Sequence, residues 1–88
     1  MKIAFRKSFS RDLSKIEDRS LLGRVKQIID SVEAAEDLPQ ISNVKKITGS
    51  SNLYRIRVGD YRLGIAVEEG AVEFVRCLHR REIYRYFR

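Results

Sequence analysis

The chain contains one cysteine, Cys77, one proline, Pro39, and one histidine, His79, in 88 residues. A single cysteine cannot build an internal disulfide framework and fits a reducing, cytoplasmic compartment. With so few soft ligands and only scattered carboxylates there is no metal-ligand spacing, and neither a metal nor another cofactor is expected. No stretch approaches the ~18 consecutive apolar residues of a membrane span, so no membrane partner is expected either. The opening Met-Lys-Ile-Ala-Phe-Arg-Lys is too charged for a secretory leader. Few glycines and prolines argue against long disorder, and no repeat, linker or low-complexity tract breaks the chain.

Apolar residues make up 43% of the sequence, enough for one core. A chain of this size buries only a little over ~60% of its unfolded surface, so a single domain spanning residues 1–88 is expected. Charge is unevenly spread. Residues 1–43 carry 8 Lys/Arg against 7 Asp/Glu, whereas residues 44–88 carry 10 against 5, so most of the net +6 lies in the second half. A basic half of this kind points to nucleic acid or an acidic protein as partner.

Residues 2–7 read as a first strand, with Ile3 and Phe5 alternating against Lys2, Ala4 and Arg6. Ser8 or Ser10 is placed to cap a short helix whose stripe is Phe9, Leu13 and Ile16. Asp18 or Ser20 then caps a longer helix reaching about Glu36. Its apolar positions Leu21, Leu22, Val25, Ile28, Ile29, Val32 and Ala35 recur at helical spacing. Leu38-Pro39 ends it. After a short extended piece from Val44 to Ile47 and a turn at Gly49-Ser-Ser-Asn52, three strands follow. They cover Leu53–Val58, Tyr61–Val67 and Ala71–Leu78, joined by Gly59-Asp60 and by Glu68-Glu69-Gly70. The expected fold is α+β: a small antiparallel sheet in β-α-α-β-β-β order, with a possible short extra strand, covered on one face by a two-helix hairpin.

Arginine placement is the strongest functional signal. On the first meander strand Arg55 and Arg57 share one side, while Tyr54, Ile56 and Val58 share the other. On the next, Tyr61, Leu63, Ile65 and Val67 face the helices. Arg62 falls on the open side with Gly64 and Ala66, two small residues that suggest a shallow floor. His79, Arg80, Arg81 and Tyr84 arrive from the third strand, whose Val72, Phe74 and Leu78 alternate with Ala71, Val75 and Cys77. Both of its faces look apolar, as in a central strand, and period alone does not assign them. Tyr54, Tyr61 and Cys77 read as core, and Asp60 and Glu82 as braces for turns or arginines.

Lys46-Ile-Thr-Gly49, the stretch Tyr54-Arg-Ile-Arg-Val-Gly-Asp-Tyr-Arg62 and Leu78-His-Arg-Arg-Glu-Ile-Tyr84 together resemble the RelE/ParE toxin superfamily, in its RelE branch. The resemblance spans nearly the whole chain and is specific over residues 46–84. It implies the toxin of a toxin–antitoxin pair: a ribosome-dependent, metal-independent endoribonuclease partnered by a cognate antitoxin, the ribosome and mRNA. Family members of this branch promote attack of a ribose 2′-OH on the adjacent phosphorus, leaving a 2′,3′-cyclic phosphate and a 5′-OH. By the same resemblance Arg62 grips the scissile phosphate, and Arg80 or Arg81 supplies the later catalytic arginine. Tyr84 stacks on a base or moves a proton, with Tyr86 as its rival. Arg55, Arg57 and His79 bind RNA. Arg55 and Arg57 stand where well-known members often carry lysines. Arginine keeps its proton to a pKa above ~12, so neither suits a general base; either His79 or Tyr84 would have to help, or the reaction relies mainly on substrate orientation and electrostatics. Relatives on this fold include ParE-like gyrase inhibitors and non-catalytic antitoxin binders, which are the alternative readings.

Overall fold

The computed structural model describes residues 1–87. Strand β1 (Lys2–Phe5) leads into helices α1 (Lys7–Ser14) and α2 (Arg19–Ala34), and a single 3₁₀ turn at Leu38–Gln40 follows. Strands β2 (Val44–Lys46), β3 (Leu53–Val58), β4 (Tyr61–Glu68) and β5 (Ala71–His79) come next, and a one-turn helix, α3 (Ile83–Tyr86), closes the described chain. The α+β class and the element order agree with expectation.

Helix α2 starts where Asp18 accepts a hydrogen bond from the Leu21 amide at 3.1 Å, a side-chain cap on an otherwise orphaned donor. It ends as the chain turns extended at Ala35, ahead of Pro39. Its stripe of Leu21, Val25 and Val32 buries against Ile56, Val58, Leu63, Ile65, Val72 and Phe74 of the sheet. Helix α1 begins differently from expectation. Arg6 is its N-cap residue and offers no side-chain cap. The hydroxyl of Ser8 instead donates 2.6 Å to the Val75 carbonyl. Phe9 of this helix fills the core beside Phe74, with ring centroids 5.4 Å apart.

The sheet runs in the order β1-β5-β4-β3-β2. Its four later strands pair antiparallel, but β1 lies parallel to β5, from Lys2 opposite Ala71 to Phe5 opposite Phe74. The sheet is therefore mixed, and the fully antiparallel expectation needs that correction. Both β4 and β5 are interior strands, with β4 at the centre. At the β3–β4 turn Gly59 takes φ +57, and at the β4–β5 turn Glu69 and Gly70 take +47 and +77. Positive φ at both Glu69 and Gly70 is the type I′ pattern, which matches the twist of paired strands.

Because β1 stops opposite Phe74, the rest of β5 has no strand on that side. Helix α1 covers the exposed edge with side chains. Ser8 takes the Val75 carbonyl, and the buried carboxylate of Asp12 accepts from the Cys77 amide at 2.9 Å. The same carboxylate receives Arg76 Nε at 2.7 Å and Nη2 at 3.1 Å, a two-point ion pair. Three donors thus converge on one acid that is 6% exposed. This contact raises the Arg76 pKa above its ordinary value, chiefly through the hydrogen bonds to Asp12. Cys77 is buried and its thiol is pushed up to about 12, mainly by desolvation, so it stays protonated and inert at neutral pH.

The second face of the sheet is not bare. A smaller apolar cluster of Ile47, Ile83 and Phe87, flanked by Leu53, Val75 and Leu78, seats α3 upon it. Phe87 lies directly over Gly64, where an added Cβ would meet its ring at 2.7 Å. The floor anticipated at Gly64 is therefore filled, and glycine is required there because any side chain would displace the aromatic ring. Among the described residues no helix is long and apolar enough to cross a membrane.

Candidate functional site

The basic residues of the meander gather beside α3, on the face opposite the helical hairpin. The register sets Arg57 across from Arg62, and Arg55 across from Gly64. With nothing larger than hydrogen at position 64, room remains between the β3 arginines and the C-terminal turn, and Phe87 occupies it. Ile83 and Phe87, four residues apart, point into the small cluster. Tyr84 is then left on a flank, 51% exposed, and its hydroxyl oxygen accepts from Arg55 Nε at 3.2 Å. Tyr86, two residues on, faces the other way: it borders a groove with Arg76, and the Arg85 guanidinium sits 5.8 Å from its ring centroid. Of the two tyrosines, Tyr84 is the one joined to the arginine cluster.

Arg62 is at the centre. Its Nη1 donates to the carbonyls of Gly59 and Tyr61, both at 2.9 Å, which fixes the guanidinium against its own hairpin. Its pKa is lowered from the usual arginine value, first by partial burial, then by the charges of Arg55 and Arg57, with Arg80 adding to them and Tyr84 opposing. Arg55, Arg57, Arg80 and Tyr84 thus all lie near enough to act on Arg62. Arg80 is held by its amide, which donates 2.7 Å to the Asp60 carbonyl, tying the end of β5 to the β3–β4 hairpin. Arg81 lies exposed on the same turn, its amide donating to His79 Nδ1 at 3.2 Å.

His79 stands apart from this cluster. It is opposite Tyr61 across the β4–β5 ladder and meets that ring edge-on at 5.6 Å, so it faces the helices. There it lines a cavity of about 380 Å³ with Asp12, Lys15 and Tyr86. One residue that sequence reasoning passed over joins the basic face. Lys45, on the edge strand β2, is paired with Arg55 and therefore projects to the same side. Its signal was present in Val44-Lys45-Lys46, where Val44 packs into the main core and fixes the phase. Among the described residues no group of three His, Cys, Asp or Glu is gathered as a metal site would be.

Chemically, the site offers several planar forks, one phenol and the Lys45 amine on a shallow surface. Such a set binds phosphate oxygens in pairs. The arginine forks themselves cannot serve as the base.

A family model described as the ParE toxin of type II toxin–antitoxin systems matches residues 3–84. Toxin RelE3 of Methanocaldococcus jannaschii is 42% identical over 88 residues, 99% of each chain. In three dimensions the chain resembles the toxin of the RelB–RelE antitoxin–toxin complex from Methanococcus jannaschii, with TM-score 0.81 and 40% identity, covering 97% of this chain and 99% of that one. It also has the fold seen in the archaeal RelE–RelB complex from Pyrococcus horikoshii, with TM-score 0.72 and 22% identity over 90% and 93% of the two chains. The chain belongs to the RelE/ParE family of toxins of type II toxin–antitoxin systems and is RelE-like within it.

Proposed function

We propose that this protein is a ribosome-dependent mRNA endonuclease of the cytoplasm, held in check by a RelB-like antitoxin. The observation that carries the reading is the convergence of Arg55, Arg57, Arg62 and Arg80 with Tyr84 on one exposed face. Clustered guanidinium groups repel one another in the free protein, and a bound phosphodiester relieves that repulsion. The charge that develops on phosphorus during attack by a 2′-OH is then met by donors already in place. Arg62, buttressed by two backbone carbonyls, is the most preorganised of them. Arg80 and Arg57 flank it, and Arg55 holds Tyr84. The bond from Arg55 Nε to the phenolic oxygen holds the Tyr84 ring beside the cluster, where it can stack on a base of the bound RNA. The 2′-OH has no histidine beside it in this arrangement, so attack depends on alignment of the substrate and on charge stabilisation.

The relatives' structures are complexes with RelB antitoxins, which supports a comparable partner here. A basic toxin face and an acidic or amphipathic chain are complementary in charge. The ParE description of the matching family model supports a second reading, a gyrase-directed poison that cuts nothing. The two separate in one experiment. Purified protein is added to ribosomes programmed with a defined mRNA, and the products are mapped by primer extension and end-group analysis. Cleavage in the A-site codon with a 2′,3′-cyclic phosphate is the expected result. Intact mRNA together with inhibited gyrase supercoiling would sink the nuclease reading.

Tyr84 gives a second, narrower test. Tyr84→Phe keeps the ring and loses both the hydroxyl and its bond to Arg55, whereas Tyr84→Ala loses stacking as well. Base–aromatic stacking is worth ~1–3 kcal/mol. The alanine variant is expected to lose most of the single-turnover rate and the phenylalanine variant to retain much of it. Equal, large losses in both would assign the hydroxyl a compulsory proton-transfer role.

A further inference from the structure

The basic face does not stop at the sheet. Gly59, at the tip of the β3–β4 hairpin, accepts Arg62 Nη1 on its carbonyl from one side. From another direction Arg24 of α2 closes on the same residue: a Cβ built on Gly59 would lie 2.8 Å from Arg24 Nη2. Two guanidinium groups from separate elements therefore converge on one glycine, and that glycine's lack of a side chain is what admits the second. Arg24 and Arg57 then line a groove of about 340 Å³ between α2 and the end of β3. Gln27, Ser31 and Asn43 complete its polar wall, and no carboxylate lines it. Among the described residues the ion pairs are Arg6–Glu73 and Arg76–Asp12, and neither involves Arg24 or Arg57. On α2, Arg24, Gln27 and Ser31 fall three and four residues apart, which puts them on one face of the helix.

We propose that this groove is a second phosphate-binding site, holding a backbone phosphate of the RNA strand other than the one attacked. The inference rests on the proposed RNA-cleaving reading and extends its surface around the hairpin tip. The Arg24 fork, with the side-chain amides of Gln27 and Asn43 along the same groove, offers donors that match a phosphodiester, whose oxygens accept only. Arg57 is common to both sites: it stands across the ladder from Arg62, and it is among the residues that line the groove. One strand of RNA can thus run from the Arg55–Arg62 cluster over Gly59 to Arg24 without leaving basic surface.

The test is salt-dependent binding of a short single-stranded RNA made uncleavable by 2′-O-methylation, followed by fluorescence anisotropy. Arg24→Gln is compared with Lys26→Gln, which removes the same charge from the same helix outside the groove. Arg24→Gln is expected to lower the slope of log affinity against log salt by about 0.7, the release of one counterion contact on a single strand, and Lys26→Gln to leave it at the wild-type value. Thermal melting of both variants checks that each is folded. Wild-type slopes in both variants, or equal reductions in both, would overturn the groove. RNA binding with the expected slope change but no cleavage on ribosomes would leave the groove standing and remove the nuclease reading. Cleavage with an unchanged slope in Arg24→Gln would do the reverse. Failure of the wild-type protein to bind the RNA overturns the groove together with the RNA reading.

Discussion

Arg62→Ala is expected to slow mRNA cleavage on programmed ribosomes by about 10²–10³-fold, roughly 3–4 kcal/mol of transition-state stabilisation, while the domain stays folded. The rate effect follows from what the side chain is in this structure: a guanidinium held by two carbonyls and surrounded by other cations. Removing it takes away a preorganised charge and lets water into its place. The fold should tolerate the change because the losses and gains are both small. Two hydrogen bonds to the hairpin backbone disappear, each worth ~0.5–1.5 kcal/mol net. Repulsion with Arg55, Arg57 and Arg80 disappears with them. Arg62→Lys sharpens the test, since it keeps the charge and loses the planar fork; it should fall between the two. Wild-type cleavage by a folded Arg62→Ala protein would remove Arg62 from the reaction, and an unfolded one would show that its bonds to Gly59 and Tyr61 support the hairpin.

Asp12→Ala is expected to give the largest loss of stability outside the apolar core, about 3–5 kcal/mol in denaturant unfolding, because it leaves a partly buried arginine without its partner. Arg76 loses both contacts to the carboxylate, and the Cys77 amide loses its acceptor at a sheet edge that β1 does not reach. Against a total of ~5–15 kcal/mol for an ordinary domain, that is a large share. Asp12→Asn retains an acceptor for the amide and should be milder. A loss below about 1 kcal/mol for Asp12→Ala, or a loss for Asp12→Asn as large as that for Asp12→Ala, would show that α1 holds the β5 edge by apolar packing and not through this acid.

These two residues also mark the limit of what the sequence disclosed. Arg62 was legible because its neighbours on β4 alternate cleanly and Gly59-Asp60 announces the hairpin that places it opposite Arg57. The α2 stripe and the Asp18 cap were legible for the same reason: each is a local pattern with a fixed period. Asp12 was not, since its partner lies 64 residues away and a lone aspartate on an amphipathic helix carries no signal of burial. The parallel pairing of β1 with β5 joins the two ends of the domain and leaves no mark on either strand. His79 could have been placed. Cys77 is two residues earlier on the same strand and belongs to the main core, so His79 shares the helix-facing side, away from the arginines. The apolar character of both faces of β5 hid that phase. The reason is now visible: a register irregularity opposite Gly64 and Ile65 interrupts the ladder, while Val75 and Leu78 serve the second cluster below α3.

That second cluster gives the molecule two thresholds for opening. Residues of the main core are locked by both helices and five strands, whereas α3 rests on three buried side chains, Ile47, Ile83 and Phe87, and is a single turn long. Elements with few buried contacts open at a smaller free energy than the domain as a whole. On warming, amide exchange in α3 should therefore outrun exchange in β4, and Tyr84 should leave Arg55 while the sheet is still intact. Such a protein can lose the arrangement of its basic face before it loses its structure, and can recover it on cooling by reseating one aromatic ring on one glycine.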